Sequence, residues 1–108
     1  MMRVVPLAMA FMLVASLASA QAAADKGKEV YTAQKCSICH SIGGVGNKKG
    51  PLDDVGSKLS AGEIRSWITS APDQAAKAKA ERKPAMKAYT LSNDELDALV
   101  AYLQTLKK

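Results

Sequence analysis

Aromatic residues are scarce in this sequence, and so are the side chains that most enzymes use for catalysis or metal binding. Its 108 residues include one Trp, three Tyr, one Phe, two Cys and one His. We find no acid–base pair and no nucleophile constellation among them. Apolar residues make up 48% and charged residues 23%, which excludes the disordered and collagen-like classes. A small domain with so little aromatic mass needs support for its core, such as a disulfide, a metal or a cofactor.

Charged residues are absent from the apolar run at residues 4–17. Arg3 precedes this run and the small residues Ala18-Ser19-Ala20 follow it, which is the pattern of a secretory signal peptide. The run is shorter than the roughly 20 residues of a membrane-spanning helix. We therefore predict a signal peptide at residues 1–20, a periplasmic or otherwise exported protein, and one domain at residues 21–108 without an integral membrane span. An uncleaved anchor helix is the alternative.

Acidic residues are too few to balance the basic ones. Without Arg3, 14 basic residues stand against 10 acidic ones, an excess too small to favour nucleic acid as a partner. The excess is concentrated, because residues 30–52 and 82–93 hold six basic residues and no acidic one. A face formed by these segments would attract a partner protein with an acidic docking surface. The alternative is that these side chains are only solvated.

Regular alternation of apolar and polar residues is also missing, so we predict no strand and an all-α domain of three to five short helices. The first helix is expected from about Asp25, as its N-cap, to the region of Cys36, after a frayed start at residues 21–24. Residues 43–51 contain four glycines and a proline, which predicts a loop. Residues 73–83 fit either a short helix or irregular structure.

Two further helices begin at capping boxes. Ser60 and Glu63 begin a helix that is expected to stop at Pro72, and Ser92 and Glu95 begin the last helix. Apolar residues recur at helical spacing in both, at Ile64, Trp67, Ile68 and Ala71 and at Leu96, Leu99, Val100, Leu103 and Leu106. Each stripe predicts one buried helix face.

The two cysteines and the histidine lie together in the motif Cys36-Ser37-Ile38-Cys39-His40. On a helical turn the positions i, i+3 and i+4 share a face, so both thiols and the imidazole are expected to point at the same group. A haem suits this arrangement, because the thiols add to its two vinyl groups as thioethers and the imidazole reaches the iron. Cys-x-x-Cys-His is the recognised attachment pattern of c-type haem.

Three other interpretations of the motif stay open. A redox disulfide between Cys36 and Cys39 would suit an exported protein, although thioredoxin-like sites lie in a βαβ context that this sequence does not predict. A zinc site needs four ligands, and the motif offers three. A structural disulfide would close too short a loop to stabilise the chain much.

An electron-transferring haem iron takes a second axial ligand, and the sequence has no second histidine. Once residues 1–20 are removed, Met86 is the only methionine. It lies in a basic, proline-containing stretch, residues 83–89, where a methionine has little packing reason to be. Ligation by its thioether would favour the reduced iron and raise the reduction potential. The alternative is that Met86 fills a gap in the core.

Four features, in this order, resemble the class I c-type cytochromes, which are small monohaem proteins with histidine and methionine as axial ligands. They are the CSICH motif, Gly50-Pro51, Pro84-Ala85-Met86 and a closing helix that ends in AYLQTL. The resemblance covers residues 25–106. It implies the cytochrome c fold, several short helices wrapped around one covalently bound haem c.

The resemblance also implies roles for individual residues. Cys36 and Cys39 would hold the haem covalently, and His40 and Met86 would be the axial ligands of its iron. A proline such as Pro51 would accept, through its carbonyl, a hydrogen bond from the other ring nitrogen of the proximal histidine, which fixes the orientation of the ring.

The same resemblance implies that the first and last helices pack at a contact between Gly27 and Tyr102. It predicts a periplasmic electron-transfer protein rather than an enzyme, with a haem c that cycles between ferric and ferrous states and with redox proteins as partners. The alternatives are a permanently docked c-type subunit of a larger oxidoreductase, and a haem enzyme or gas sensor with an open iron site.

Overall fold

The computed structural model describes residues 5–107 of the chain, and the side chains of residues 19–107. Within that range the α-helices are α1 (Val5–Ala33), α2 (Val55–Lys58), α3 (Ala61–Thr69), α4 (Ala71–Ala78) and α5 (Asn93–Gln104). A 3₁₀ turn spans Cys36–Ile38, and the strands β1 (Ser41–Ile42) and β2 (Val45–Gly46) form a small antiparallel hairpin. The predicted all-α fold is confirmed. The hairpin was not predicted, because strands of two residues are too short to show alternation.

Helices α1, α3 and α5 supply the core. Its buried residues are Val30, Tyr31, Ile64, Ile68, Leu96, Leu99, Val100 and Leu103. The apolar stripes of α3 and α5 therefore face inward as predicted. The last residue of the predicted α5 stripe, Leu106, is not helical, because the helix stops at Gln104. Leu106 still packs against the core from the segment after the helix.

Both predicted capping boxes are present. In α3 the backbone N–H of Glu63 donates to Ser60 Oγ at 3.2 Å, and the backbone N–H of Ser60 donates to Glu63 Oε1 at 2.9 Å. Ser92 and Glu95 make the same pair of bonds at the start of α5. Each box satisfies N–H groups that have no partner within the helix, so these two helices begin where the sequence predicts.

The start of α1 differs from the prediction. Residues 21–24 are helical rather than frayed, and Asp25 lies inside the helix instead of capping it. Its carboxylate accepts a hydrogen bond from Gln21 Nε2 one turn earlier, at 3.0 Å. The alanine-rich segment before it, residues 18–24, contains no glycine or proline, so the helix continues through this segment into Asp25.

Residues 1–4 of the predicted signal peptide, and the side chains of residues 1–18, lie outside what the structure describes. Cleavage after residue 20 stays a prediction. Of the helices in residues 5–107, none combines the length and the apolar character needed to cross a membrane.

The boundary between α3 and α4 also differs from the prediction. Ala71 was expected on the apolar face of α3, but it is the first residue of α4 and is fully buried. Pro72 lies in the first turn of α4, where its missing N–H costs no hydrogen bond and its fixed φ suits a helix. The open question at residues 73–83 is thereby answered, since α4 runs to Ala78 and irregular chain follows.

The contact between Gly27 and Tyr102 is present where α1 crosses α5. A Cβ atom on Gly27 would lie 2.5 Å from Tyr102 Cβ and would also collide with the carbonyl of Ala98. Tyr31, one turn after Gly27, packs edge-to-face against Tyr102 with their ring centroids 6.1 Å apart. Glycine therefore permits the close helix crossing that holds Tyr31 in place.

Gly27→Ala is expected to destabilise the protein by about 1–3 kcal/mol, because the added methyl overpacks the crossing. Gly62→Ala is the matched control, since it lies in α3 and an added Cβ would have only Ser60 Oγ near it, at 4.0 Å. The free energy of unfolding of Gly62→Ala should rise by up to about 1 kcal/mol, from helix propensity alone. Denaturant unfolding of the two variant holoproteins measures both effects. Equal changes in their free energies of unfolding would contradict the close helix crossing at Gly27.

Candidate functional site

The Cys36–His40 motif forms a tight turn directly after α1. Lys35 adopts a left-handed conformation, with φ 58°, and ends the helical path. The backbone N–H groups of Cys39 and His40 then both donate to the carbonyl of Cys36, at 3.1 and 2.9 Å. This turn places both thiols and the imidazole on the wall of one cavity, as the i, i+3, i+4 spacing predicts.

The cavity beside this turn has a volume of about 310 Å³. Cys36, Cys39, His40 and Met86 all line it. Most of the remaining wall is apolar and is contributed by residues between α2 and α5, among them Leu59, Ile64, Ile68 and Leu99. A second cavity, also of about 310 Å³, is lined by the same two cysteines, histidine and methionine. The fold therefore brings together the two predicted attachment cysteines and the two predicted axial ligands, although Met86 is 46 residues beyond His40 in sequence.

The hydrogen bond of the histidine differs from the prediction. His40 Nδ1 donates to the carbonyl of Gly50 at 3.0 Å, whereas Pro51 was expected to supply the acceptor. Pro51 instead forms a parallel bridge with Ser41. Gly50 has no Cβ, and a Cβ there would lie 3.0 Å from His40 Nδ1 and would collide with the carbonyl of Cys39. Glycine is thus the residue whose backbone can approach the imidazole this closely.

This bond decides which nitrogen of His40 can bind a metal. A carbonyl oxygen only accepts, so Nδ1 carries the proton and Nε2 keeps its lone pair. Burial lowers the pKa of His40, a lowering that the hydrogen bond to Gly50 opposes and the positive charge of Arg82 reinforces. The imidazole is therefore held neutral, which is the form that coordinates metals.

Burial has a further effect on the sulfur chemistry of the turn. Both cysteines are free thiols and half-buried. Burial raises the pKa of the Cys36 thiol, with the neighbouring Cys39 adding to the shift. The thiol of Cys36 therefore stays protonated at neutral pH, and it is the thiol rather than a metal-binding thiolate that faces the cavity.

Tyr31 contributes an unsatisfied polar atom. Its side chain is 8% exposed and lines the cavity, and its hydroxyl has no hydrogen-bond partner among residues 19–107. Burial raises the pKa of Tyr31 to about 12. An unpaired buried hydroxyl costs about 1–3 kcal/mol, so this wall suits an occupant that carries polar atoms on an apolar body. A haem has that character, and two thiols, one neutral imidazole and one thioether are a donor set that fits it.

Comparison with known families decides the assignment. The cytochrome c family model matches residues 24–107 of the chain. The chain belongs to the cytochrome c family. Membership implies a covalently bound haem c as the cofactor of this cytochrome c domain.

One relative of this cytochrome c domain is the cytochrome c oxidase subunit 2 of Alkalihalophilus pseudofirmus (strain ATCC BAA-2126 / JCM 17055 / OF4). The two are 29% identical over 94 residues, which cover 78% of this chain and 26% of that protein. The chain thus spans about a quarter of the relative's length. No solved structure shows a significant match to the chain.

Sequence reasoning missed three residues of the site. The carbonyl of Gly50, the hydroxyl of Tyr31 and the side chain of Arg82 all contact or line the cavity region. The sequence could have indicated Gly50, because the Gly50-Pro51 pair is one of the four features that resemble the class I c-type cytochromes. Tyr31 lies within the predicted first helix, where nothing marks its hydroxyl as part of a site, and nothing near Arg82 in the sequence distinguishes it from its basic neighbours.

Proposed function

We propose that this cytochrome c domain is an exported electron-transfer protein, with its haem attached at Cys36 and Cys39 and its iron held by His40 and Met86. The observation that carries the proposal is that these four side chains line one apolar cavity. Haem, when bound there, supplies an iron that accepts and releases a single electron.

The chain contributes position and polarity to that chemistry. The hydrogen bond to Gly50 fixes the ring of His40 and aims its Nε2 away from that carbonyl. The thioether of Met86 favours the reduced iron. The apolar wall limits the access of water, which tunes the potential as well.

An anaerobic redox titration of the holoprotein tests this proposal. We expect one reversible one-electron transition and no rapid binding of carbon monoxide by the reduced protein, since both axial positions are occupied by protein ligands. Rapid binding of carbon monoxide would instead support a haem enzyme or gas sensor with an open iron site.

The signal-peptide pattern at residues 1–20, with cleavage after Ala20, supports export of the protein to the periplasm. Covalent attachment of haem to thiols agrees with this route, because it proceeds in an oxidising compartment outside the cytoplasm. The N-terminal sequence of the mature protein tests the proposal, and it is expected to begin at Gln21.

A basic face is proposed as the docking surface for an acidic redox partner. Its six members are all exposed, namely Lys35, Lys48, Lys49, Arg82, Lys83 and Lys87. Lys35 and Lys87 lie at the second cavity, beside Cys39 and Met86. Positive charge there would orient an acidic partner toward the haem site and raise the rate of association.

Lys87→Glu is expected to slow bimolecular electron transfer with the native partner several-fold at low salt. The Debye length shrinks from about 30 Å at 0.01 M to about 10 Å at 0.1 M ionic strength, so the difference from wild type should narrow as salt is added. Lys26→Glu is the control, because Lys26 is exposed on α1 outside the basic face. A rate that is indifferent to salt and to Lys87→Glu would contradict the steering role.

The second candidate function is that of a docked subunit in a larger oxidoreductase. The similarity to an oxidase subunit 2, over about a quarter of that protein, is the observation that favours it. Mild detergent extraction followed by size-exclusion chromatography separates the two functions. A shuttling carrier elutes alone, whereas a docked subunit elutes with a large partner.

A further inference from the structure

Arg82 is the one strongly polar side chain of the haem cavity that neither the fold nor the proposed ligation explains. Among the described residues that line the cavity, it alone carries a permanent charge, and none of them is acidic. The other charged members of the basic face nearby, Lys35 and Lys87, line only the second cavity. Arg82 therefore stands apart from the lysines around it.

The surroundings of Gly50 place the guanidinium of Arg82 beside the histidine. A Cβ on Gly50 would collide with Arg82 Nη1, so the guanidinium lies against the backbone that accepts the bond from His40 Nδ1. The charge is thus held close to the proximal side of the site.

Among residues 19–107, whose side chains the structure describes, Arg82 takes part in no ion pair or hydrogen bond. Its sequence neighbour Glu81 is exposed and does not pair with it. A guanidinium has five N–H donors in a planar fork that matches a carboxylate. An apolar cavity with one unpaired guanidinium at its wall is therefore complementary to an apolar ligand that carries a carboxylate.

We infer that Arg82 pairs with a carboxylate of the bound haem and so helps to set its reduction potential. Oxidation adds one positive charge to the iron, and a fixed cation nearby opposes that change. Pairing also neutralises a carboxylate that would otherwise stabilise the ferric state. Both effects favour the reduced form, so Arg82 is a positioning and potential-tuning residue rather than an iron ligand.

The test compares three variants of the full-length holoprotein, Arg82→Gln, Arg82→Lys and Lys83→Gln. Lys83 is the matched control, because it is exposed and adjacent in sequence but lines neither cavity. At one pH and one ionic strength we expect Arg82→Gln to lower the ferrous-to-ferric ratio at a fixed potential by about tenfold, which is about 59 mV for a one-electron couple. Arg82→Lys should lower this ratio less, because lysine keeps the positive charge but lacks the planar guanidinium that can make two parallel hydrogen bonds to a carboxylate.

Redox-induced infrared difference spectra give a readout that does not depend on activity. The carboxylate bands of the haem should shift in Arg82→Gln and stay in place in Lys83→Gln. Equal potentials and unchanged carboxylate bands in these two variants would overturn the inference. An unchanged potential combined with slower transfer to the partner would also overturn it, and would leave Arg82 with its proposed role in the docking surface alone.

The inference rests on the proposed haem ligation, and the two fail differently. Wrong ligation would show in the wild-type spectrum, as a missing sulfur–iron absorption band. A wrong assignment of Arg82 would leave that band intact and would appear only in the comparison of Arg82 with Lys83 variants.

Discussion

Replacing Cys36 or Cys39 by alanine is expected to prevent normal maturation, and replacing His40 is expected to be more damaging still. Both cysteines are half-buried free thiols on the cavity wall, and each would form one thioether bond to the haem. Loss of one would leave a single covalent attachment, whereas loss of His40 would remove the proposed proximal ligand of the iron. Intact-mass spectrometry of the exported protein measures the effect, since the mature chain should be heavier by one haem.

A treatment with acid acetone separates covalent from non-covalent haem. The wild-type protein should retain its haem, and the single-cysteine variants should accumulate little holoprotein. Ser37→Ala is the matched control, because Ser37 is exposed in the same turn and its side chain makes none of the hydrogen bonds that shape the motif. A wild-type mass equal to that of the bare polypeptide would refute the attachment at these cysteines.

Met86→Ala is expected to abolish the sulfur–iron absorption band, lower the reduction potential and open the iron to carbon monoxide. The half-buried Met86 lines both cavities beside His40, so under the proposed ligation its loss would leave an axial position without a protein ligand. Axial ligands set haem potentials over a range of roughly 0.8 V, and the fall should be a sizeable part of it. Optical spectra and a redox titration of the holoprotein give all three results.

Met86→Leu distinguishes ligation from packing. Leucine matches methionine in volume and is tolerated in most cores, but it offers no sulfur to the iron. If Met86 is an axial ligand, this variant should lose the band and the high potential while the protein stays folded. If Met86 only fills a gap, Met86→Leu should keep the wild-type spectrum and potential, and the sixth ligand must then be another group.

Local sequence signals predicted where two helices begin, which face of α5 is buried and how the Cys36–His40 motif is arranged. The capping boxes at Ser60 and Ser92 are made by residues three positions apart, so neighbouring residues alone decide where α3 and α5 begin. The Cys36–His40 motif is similar, because one turn of chain brings its thiols and imidazole to a common face. The apolar spacing of α5 likewise fixes its buried side without reference to the rest of the chain.

Helix limits that depend on competing signals were predicted less well. Asp25 is a good N-cap residue, but the alanine-rich segment before it continues α1 through that position. Pro72 can end one helix or begin another, and the burial of Ala71 goes with the second choice. Intrinsic preferences at such positions differ by about 1 kcal/mol or less, so neighbouring segments and packing decide between them.

The details that tune the site were decided by tertiary structure. Gly50 reaches His40 across ten residues, and Arg82 approaches the same backbone from a segment beyond α4. The hydroxyl of Tyr31 is buried without a hydrogen-bond partner among the described residues, and its ring packs against Tyr102 of α5. Residues far apart in sequence meet only when the chain has packed, so no local pattern encodes these contacts. The sequence alone determines which groups can hold the haem, and the packed chain determines the polar surroundings in which they hold it.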